Sequence, residues 1–294
     1  MTERSKWAVI AIILICFLLF LMFSVSSFLN IMRPEGLSLS GSGDKIAIME
    51  LEGPILSSEK FVRQLNKYKD DKTIDAILLR MDSPGGIVAP SQEIYEAVKK
   101  VRDSGKVIVV SMGSVAASGA YYIALGATKI VANPGTITGS IGVIFDFMSF
   151  GALLEKIGLK TSVIKSGKFK DSGSPYRDMT PEETQYFQEL INDTYNQFVD
   201  VVVSERELPL DEVLKLADGR VFTGHQAVQL HLIDTLGTFE DAVAIAADLA
   251  GVSKDARRIR ERKTKLRLID ILFGDIEEAM PLLLKKSYLA FMMK

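Results

Sequence analysis

One long apolar run and two shorter periodicities divide the chain. Trp7 to Phe23 is unbrokenly apolar, and Val25, Phe28 and Leu29 extend the run past a few serines. A helix needs about 20 mostly apolar residues to cross the hydrocarbon core of a bilayer, and this stretch is long enough. Arg4 and Lys6 precede it against Glu3 alone, while Arg33 stands nearly by itself behind it. That bias predicts a cytoplasmic N-terminus and a folded part on the extracytoplasmic side of the cell membrane. A cleaved signal peptide is the competing reading, with Ser24 to Ser27 near a cut site, but the apolar core exceeds the roughly 7–15 residues of such a segment. The expectation is a cytoplasmic stub and single-pass anchor over residues 1–32, then a Gly/Ser-rich flexible tether over 33–44.

From Lys45 onward, strand-like and helix-like segments alternate. KIAIMELEGPI (45–55) alternates and then turns at Gly53-Pro54, and residues 57–71 carry Phe61, Val62, Leu65 and Tyr68 at helical spacing. AILLRMDS (76–83) is a short apolar run, residues 90–104 place Ile94, Val98 and Val101 on one helix face, and VIVVSM (107–112) is a buried-strand signal. A helix rich in small residues is expected from about 118 and a strand at KIVANP (129–134). Short buried strands alternating with helices predict an α/β fold with largely parallel pairing over 45–250. After Ser166 the chain reads as mainly helical. Thr180-Pro181-Glu182-Glu183 has the N-cap threonine, the proline at the first helical position and the glutamate of a capping box. Phe187, Ile191, Tyr195 and Phe198 continue that helix's apolar face.

The last segment, 251–294, differs. Seven of the eleven residues from Arg257 to Arg267 are basic, and PLLLKKSYLAFMM follows. A solvated charge run and then a helix packed on its own domain or a neighbour is the expectation, with contact at a membrane surface as the alternative.

Composition removes several classes of function. With a net charge of −2, nothing invites nucleic acid as a partner. Cys16, the lone cysteine, falls inside the apolar run, so the folded part can form no internal disulfide and no cysteine metal site. Two histidines, His225 and His231, make a multi-histidine metal site a poor expectation, and no organic cofactor is implied.

Three segments set glycine or serine directly beside a buried-strand signal. In DSPGG, Asp82 to Gly86, adjacent glycines let backbone N–H groups face a ligand closely, as an oxyanion hole requires; a tight turn would account for the pentapeptide equally well. In GSVAASGAYYIA, Gly113 to Ala124, Ser118 sits where a helix begins and Gly119 offers an N–H near its positive end. The plainer reading is an N-cap serine on a closely packed helix. Ser111 and Ser114 occupy strand and loop positions that offer no such dipole. The third segment is GSIGV (Gly139 to Val143) with KSGKFKDSGSP (Lys165 to Pro175) after it.

A serine nucleophile needs a base within hydrogen-bond reach. In TGHQAVQLHLID, Thr223 reads as an N-cap, His225 as first-turn and His231 as helix-end, so surface or capping roles suffice for both histidines. There is no GxSxG elbow of an α/β-hydrolase. The S-x-x-K matches Ser57…Lys60 and Ser162…Lys165 lack the expected context. Lysine is left as the base, with Lys165, Lys168 and Lys170 all open on spacing alone.

The ordered set DSPGG, GSVAASGAYYIA, TGSIGV, SGKFKDSGS and GRVFTGHQAVQLHLID resembles the signal peptide peptidase A family, the S49 serine peptidases, over roughly residues 45–250. The resemblance implies Ser118 as nucleophile, Lys170 as base, and Ser140 as the serine that hydrogen-bonds the lysine amine. Gly85 or Gly86, together with Gly119, would supply the oxyanion donors. It also implies a ClpP/crotonase-like fold, a homo-oligomeric ring, a membrane anchor, and hydrolysis of apolar peptides such as remnant signal peptides. Where this chain has His231 the family usually has a small residue. A lysine base carries a cost: freeing its proton at pH 7 from a reference value near 10.4 takes about 4.6 kcal/mol, so the site must disfavour the ammonium. Two other readings compete, a crotonase-like acyl-CoA enzyme and a catalytically inactive membrane scaffold.

Overall fold

The structure, a computed structural model, describes residues 44–260 and 289–292, with positions 17, 20 and 22 of the N-terminal run. Those three positions are helical and exposed; the rest of the expected anchor and nearly all of the tether lie outside the described residues. Among the described residues no helix is long and apolar enough to cross a membrane. The chain divides into two compact units, Met1–Ser42 and Gly43–Lys294.

The second unit is built on an eight-stranded sheet. β1 (Lys45–Glu52) pairs with β2 (Ala76–Ser83), which pairs in turn with β4 (Val107–Ala117); β5 (Lys129–Ala132) and β9 (Thr235–Leu236) continue on one side, and β10 (Arg257–Arg260) flanks β1 on the other. All these pairings are parallel. A parallel sheet is covered on both faces, which is why its strands read as near-continuous apolar runs. The period of two still sorts the side chains. Ile46, Ile48, Leu78, Val109 and Val131 meet Ala242, Val243, Ala246 and Ala247 of α8 (Phe239–Ala250), whose small residues let it lie close. Ala47, Met49, Ile77, Leu79, Ile108 and Val110 enter the larger core on the opposite face. There they meet α1 (Glu59–Asp70), α2 (Val88–Asp103) and part of α5 (Pro181–Arg206).

The helical spacings hold. Ile94, Val98 and Val101 are buried on α2, and α5 opens with the expected capping box of Thr180 and Glu183. Glu205 ties the two helices together, accepting from Arg102 and from the Tyr95 hydroxyl, each at 2.6 Å. Only the C-terminal half of α5 reaches the core, however. Phe198, Val199 and Val202 are buried, whereas Phe187, Ile191 and Tyr195 are half-buried and Tyr186 and Leu190 exposed. Beyond the main core, the apolar stripe of α5 meets a smaller aromatic cluster, with Phe187 lying 5.3 Å from Phe145 and 4.5 Å from Phe147 and Tyr186 5.3 Å from Phe169.

Two smaller arrangements position the site. β6 (Ile137–Gly139) pairs in parallel with the end of β4 and antiparallel with β8 (Val221–Thr223). A separate three-stranded sheet holds β11 (Leu289–Met292) antiparallel between β3 (Gly85–Ile87) and β7 (Ile144–Phe145). The basic run and the apolar end were expected as a solvated segment and a helix. Among the described residues Arg257, Arg258 and Arg260 are exposed, as expected, but on the edge strand of the main sheet, and Leu289–Met292 is a strand where a helix was expected. The arginines find partners beside α8: Arg258 donates to Glu240 at 2.8 Å and Arg260 lies 5.5 Å over the Phe239 ring. The apolar end finds two open strand edges.

Phe198 is fully buried and packs edge-on against Tyr122 at 5.0 Å. Phe198→Ala should destabilise the fold by about 3–5 kcal/mol, measured as a lower urea midpoint with an unchanged m-value.

Candidate active site

The site is built at the end of β4, the longest strand of the sheet. Between Met81 and Ser83 the register of β2 on β4 shifts: Met81 pairs with Met112, but Ser83 pairs with Ala116. The surplus residues of β4 bulge, and the Asp82 carboxylate fills the gap in the ladder by accepting from Val115 N–H at 3.1 Å and Ser114 N–H at 3.4 Å. Gly113 makes this possible, because a Cβ there would lie 2.8 Å from Asp82 Oδ2. Past the bulge β4 takes β6 as its partner, clamped by the Thr136 hydroxyl on Gly113 C=O and the Thr138 hydroxyl on Ala116 C=O, both at 2.7 Å.

Ser118 is where β4 stops and α3 (Gly119–Ala124) begins. Its backbone has φ of 54° and ψ of −117°, a region that non-glycine residues avoid and that is held only where surroundings over-determine it. Its N–H donates to Gly139 C=O at 2.7 Å and its C=O accepts from Tyr122 N–H at 2.8 Å. From the other side α3 is locked: the buried Tyr121 hydroxyl donates to Leu232 C=O at 2.9 Å, and Tyr122 wedges between Tyr95 and Phe198. Burial pushes the Tyr121 phenol up, so it remains a donor. Against this rigid frame, the Ser118 hydroxyl is buried and has no hydrogen-bond partner among the described residues. Buried polar atoms are seldom left so.

The two glycines of β3 are not equivalent. Gly85 adopts φ of 98°, donates to the Ser83 hydroxyl at 3.2 Å and gives its C=O to Ile55 N–H at 2.9 Å. Ile87 N–H donates to Ile55 C=O at 2.8 Å. Successive residues of a strand aim their peptide groups to opposite sides, so Gly86 turns its N–H and C=O away from Ile55. A Cβ at Gly86 would lie 2.1 Å from Ile55 O. β3 packs against α3, which brings this glycine pair to the helix that starts with Gly119.

Ser140 follows Gly139, the residue that accepts from Ser118, and it too has a positive φ, 52°. Its N–H donates to Arg220 C=O at 2.9 Å. A cleft of about 910 Å³ opens beside it, lined by Ile144, Gln188, Tyr195 and Arg220 among others. Ser118, Gly119, Ser140, Gly85 and Gly86 are thus gathered in one region.

Lys170 is not joined to Ser118 within the chain. It lies exposed in a turn-rich segment before α5. The neighbouring lysines are engaged: Lys165 donates to Lys168 C=O at 2.9 Å and pairs with Asp171, while Lys168 pairs with Glu182. Lys170 makes no ion pair among the described residues. Arg177, which sequence reasoning passed over, ties this segment to the start of α5 by donating to Asp171 at 3.1 Å and to Glu183 at 2.8 Å. Arg177 first, and then Lys165, hold the Asp171 carboxyl at about 2, so that it stays ionised near neutral pH. Asp82 was likewise seen only as part of a turn motif; an aspartate closing a strand ahead of paired glycines was the available signal. The histidines behave as expected. Both are exposed, Thr223 caps α7 (Gly224–Gln229) with Gln226 in a capping box, and His231 offers its C=O to Arg206 at 2.7 Å.

A parallel sheet that delivers a buried serine, at a strained strand-to-helix turn, to a glycine pair defines a ClpP-like serine peptidase, and residues 45–136 match the Clp protease family. Residues 100–253 match peptidase family S49, and the chain belongs to that family. A relative in Synechocystis sp., named as a protease, is 49% identical over 212 residues, or 72% of this chain and 76% of the relative. Another in Enterococcus faecium, named for a signal peptide peptidase, SppA, is 36% identical over 73% of this chain and 66% of its own length. The serine protease SPPA, chloroplastic, of Arabidopsis thaliana is 33% identical over 81% of this chain but only 37% of its own length.

Gly86→Ala should displace β3 from Ile55 and turn the Gly86 amide. The expected result is a loss of about 10²–10³ in kcat, the size of one lost oxyanion donor, with far-ultraviolet circular dichroism unchanged. Retention of wild-type kcat would remove Gly86 from the site.

Proposed function

We infer that this serine protease is a membrane-anchored endopeptidase working as a homo-oligomeric ring, with Ser118 of one subunit served by Lys170 of the next. The observation that carries the reading is the buried Ser118 hydroxyl, which lacks any partner among the described residues of its own chain. Two others support it. Lys165 and Lys168 are committed to carboxylates while Lys170 is not. Around the lysine segment, Met148, Phe150, Leu153, Ile157, Ile164 and Tyr186 are exposed, apolar surface of the kind that protein–protein contacts cover.

In this reading a neighbouring subunit covers the lysine segment, and the loss of water lowers the cost of the neutral amine. The amine takes the proton of Ser118 as Oγ attacks the scissile carbonyl. The N–H groups of Gly86 and Gly119 hold the oxyanion, and Ser140 orients the amine. The ammonium then protonates the leaving amine, and a water activated by the same lysine hydrolyses the acyl-serine. Apolar peptides left by signal-peptide cleavage are the proposed substrates, supported by the apolar run over 7–29 and by the name of the Enterococcus relative.

Ser118→Ala and Lys170→Ala should each lower peptide hydrolysis by on the order of 10⁴-fold or more while leaving the fold intact; Ser140→Ala should be milder. Co-expressed in equal amounts, the two dead subunits should regain about a quarter of the sites, because groups that act as a unit work only when both are present. Mixed rings, confirmed by mass, that stay inactive would rule out the shared pair, and failure of a fluorophosphonate to label Ser118 would rule out the nucleophile.

The charge bias around the apolar run supports an extracytoplasmic catalytic domain. Asp211→Cys, in a chain whose Cys16 is replaced by serine, should react with an impermeant maleimide in intact spheroplasts. Reaction only after lysis would reverse the orientation.

A further inference from the structure

A chain of aromatic rings runs from β7, whose Ile144 lines the cleft beside Ser140, to the residue before Lys170. Phe145 stacks on Phe147 with centroids 4.6 Å apart and planes 5° from parallel. Both meet Phe187 of α5, at 5.3 and 4.5 Å. Phe187 meets Tyr186 at 5.2 Å, and Tyr186 meets Phe169 at 5.3 Å. Offset and tilted ring pairs at such spacings attract one another beyond the area they bury. Phe145, Phe147 and Phe187 are half-buried, so the cluster is a small satellite core under the lysine segment.

The same cluster holds the segment a second time, from beyond Lys170. Gly173 has φ of 76°, and a Cβ there would lie 2.4 Å from Phe147 Cε1. Only glycine lets the backbone rest on that ring. Further along, Phe150 N–H donates to Pro175 C=O at 2.6 Å and the Ser149 hydroxyl to Asp178 at 3.0 Å, so residues 147–150 run beside 173–178. The segment's own backbone bonds close single turns: Lys170 N–H donates to Gly167 C=O at 3.2 Å and Ser172 N–H to Phe169 C=O at 3.1 Å. Bonds of that kind shape a turn without fixing where it stands. Its place comes from Arg177 on Asp171 and from two seats on the rings, Phe169 on Tyr186 and Gly173 on Phe147. We propose that Phe147 is a positioning residue for the base, its ring being the seat from which the Lys170 amine is aimed at a serine. The inference rests on Lys170 as base in the proposed function. Phe147 acts through the Gly173 backbone on one side and through Phe187 and Tyr186 on the other. A misplacement of about 1 Å at a reacting group can cost about 10²-fold in rate. The cluster begins beside a subunit's own serine site and ends at the lysine which that subunit lends away, so the proposal has a direction.

Phe147→Ala should lower kcat for a fluorogenic apolar peptide by about 10- to 100-fold with KM little changed. Phe147→Tyr, which keeps the ring, should retain most of kcat, and Gly173→Ala, whose Cβ pushes the segment off the ring, should match Phe147→Ala. A change confined to KM overturns the proposal. Mixed rings then read the direction. Placed in the Ser118→Ala chain, which lends only a lysine, Phe147→Ala should remove about nine-tenths or more of the activity that co-expression recovers. Placed in the Lys170→Ala chain, which lends only a serine, it should leave that activity as it was, and so also show that the variant folds. Equal losses, or the reverse pattern, overturn the proposal. A control mixture without Phe147→Ala that stays inactive refutes the sharing of sites between subunits, and amide exchange then decides on Phe147. In the full chain carrying Phe147→Ala alone, the amides of Lys170 and Ser172 should exchange with deuterium at least about tenfold faster than in the wild type, while those of Glu183 and Thr184 at the start of α5 keep their rates. Unchanged exchange at 170 and 172 overturns the proposal whether or not the protein is active.

Discussion

The Asp82 carboxylate is the small contact on which the site hangs. Where β4 outgrows the register of β2, two peptide N–H groups would be left without acceptors, and Asp82 supplies them from the neighbouring strand. The bulge turns the last residues of β4 away from β5 and onto β6. Once Ala117 pairs with Gly139, the bond from Ser118 N–H to Gly139 C=O comes with it, and so does the strained turn that buries the hydroxyl. Ser140 is next to that acceptor, and β3 begins at Gly85, three residues beyond Asp82. Ser118, the glycine pair and Ser140 therefore stand in fixed relation because one side chain completes one interrupted ladder.

The strands and helices of 45–250 were legible because the physics that makes them is local. Continuous apolar runs mark strands covered on both faces, and Thr180 with Glu183 announces a capped helix. The motifs around Ser118 and the glycine pair were legible for a related reason: glycines where no Cβ fits leave a visible trace. What stayed hidden depends on contacts distant in sequence. Spacing could not separate Gly85 from Gly86, because Ile55, thirty residues away, decides which one faces outward. It could not tell apart Lys165, Lys168 and Lys170, because which of them pair with carboxylates depends on where Asp171 and Glu182 fall in space. The C-terminal apolar stretch looked helical, yet Leu289–Met292 is a strand: edges made elsewhere in the fold outweigh the propensity of a short segment.

The serine half of the site is complete to the last hydrogen bond save one, and the lysine half stands on a segment pinned to the start of α5 rather than to the core. In the proposed mechanism such a division would keep Ser118 from acting until Lys170 of a neighbour arrives.

The clamp around Arg177 carries a consequence for speed. A turn-rich segment such as the one that carries Lys170 could wave freely and be ordered only on contact, losing the conformational entropy of several residues at that moment. Arg177 binds Asp171, Glu183 and the carbonyl of Asp178, and Ser172 adds a bond to Glu183 at 2.9 Å. The order is therefore in place before any encounter. In the proposed ring, a subunit docking on Lys170 would meet a stiff splint, and the docking energy could go into drying the amine instead of stilling the chain.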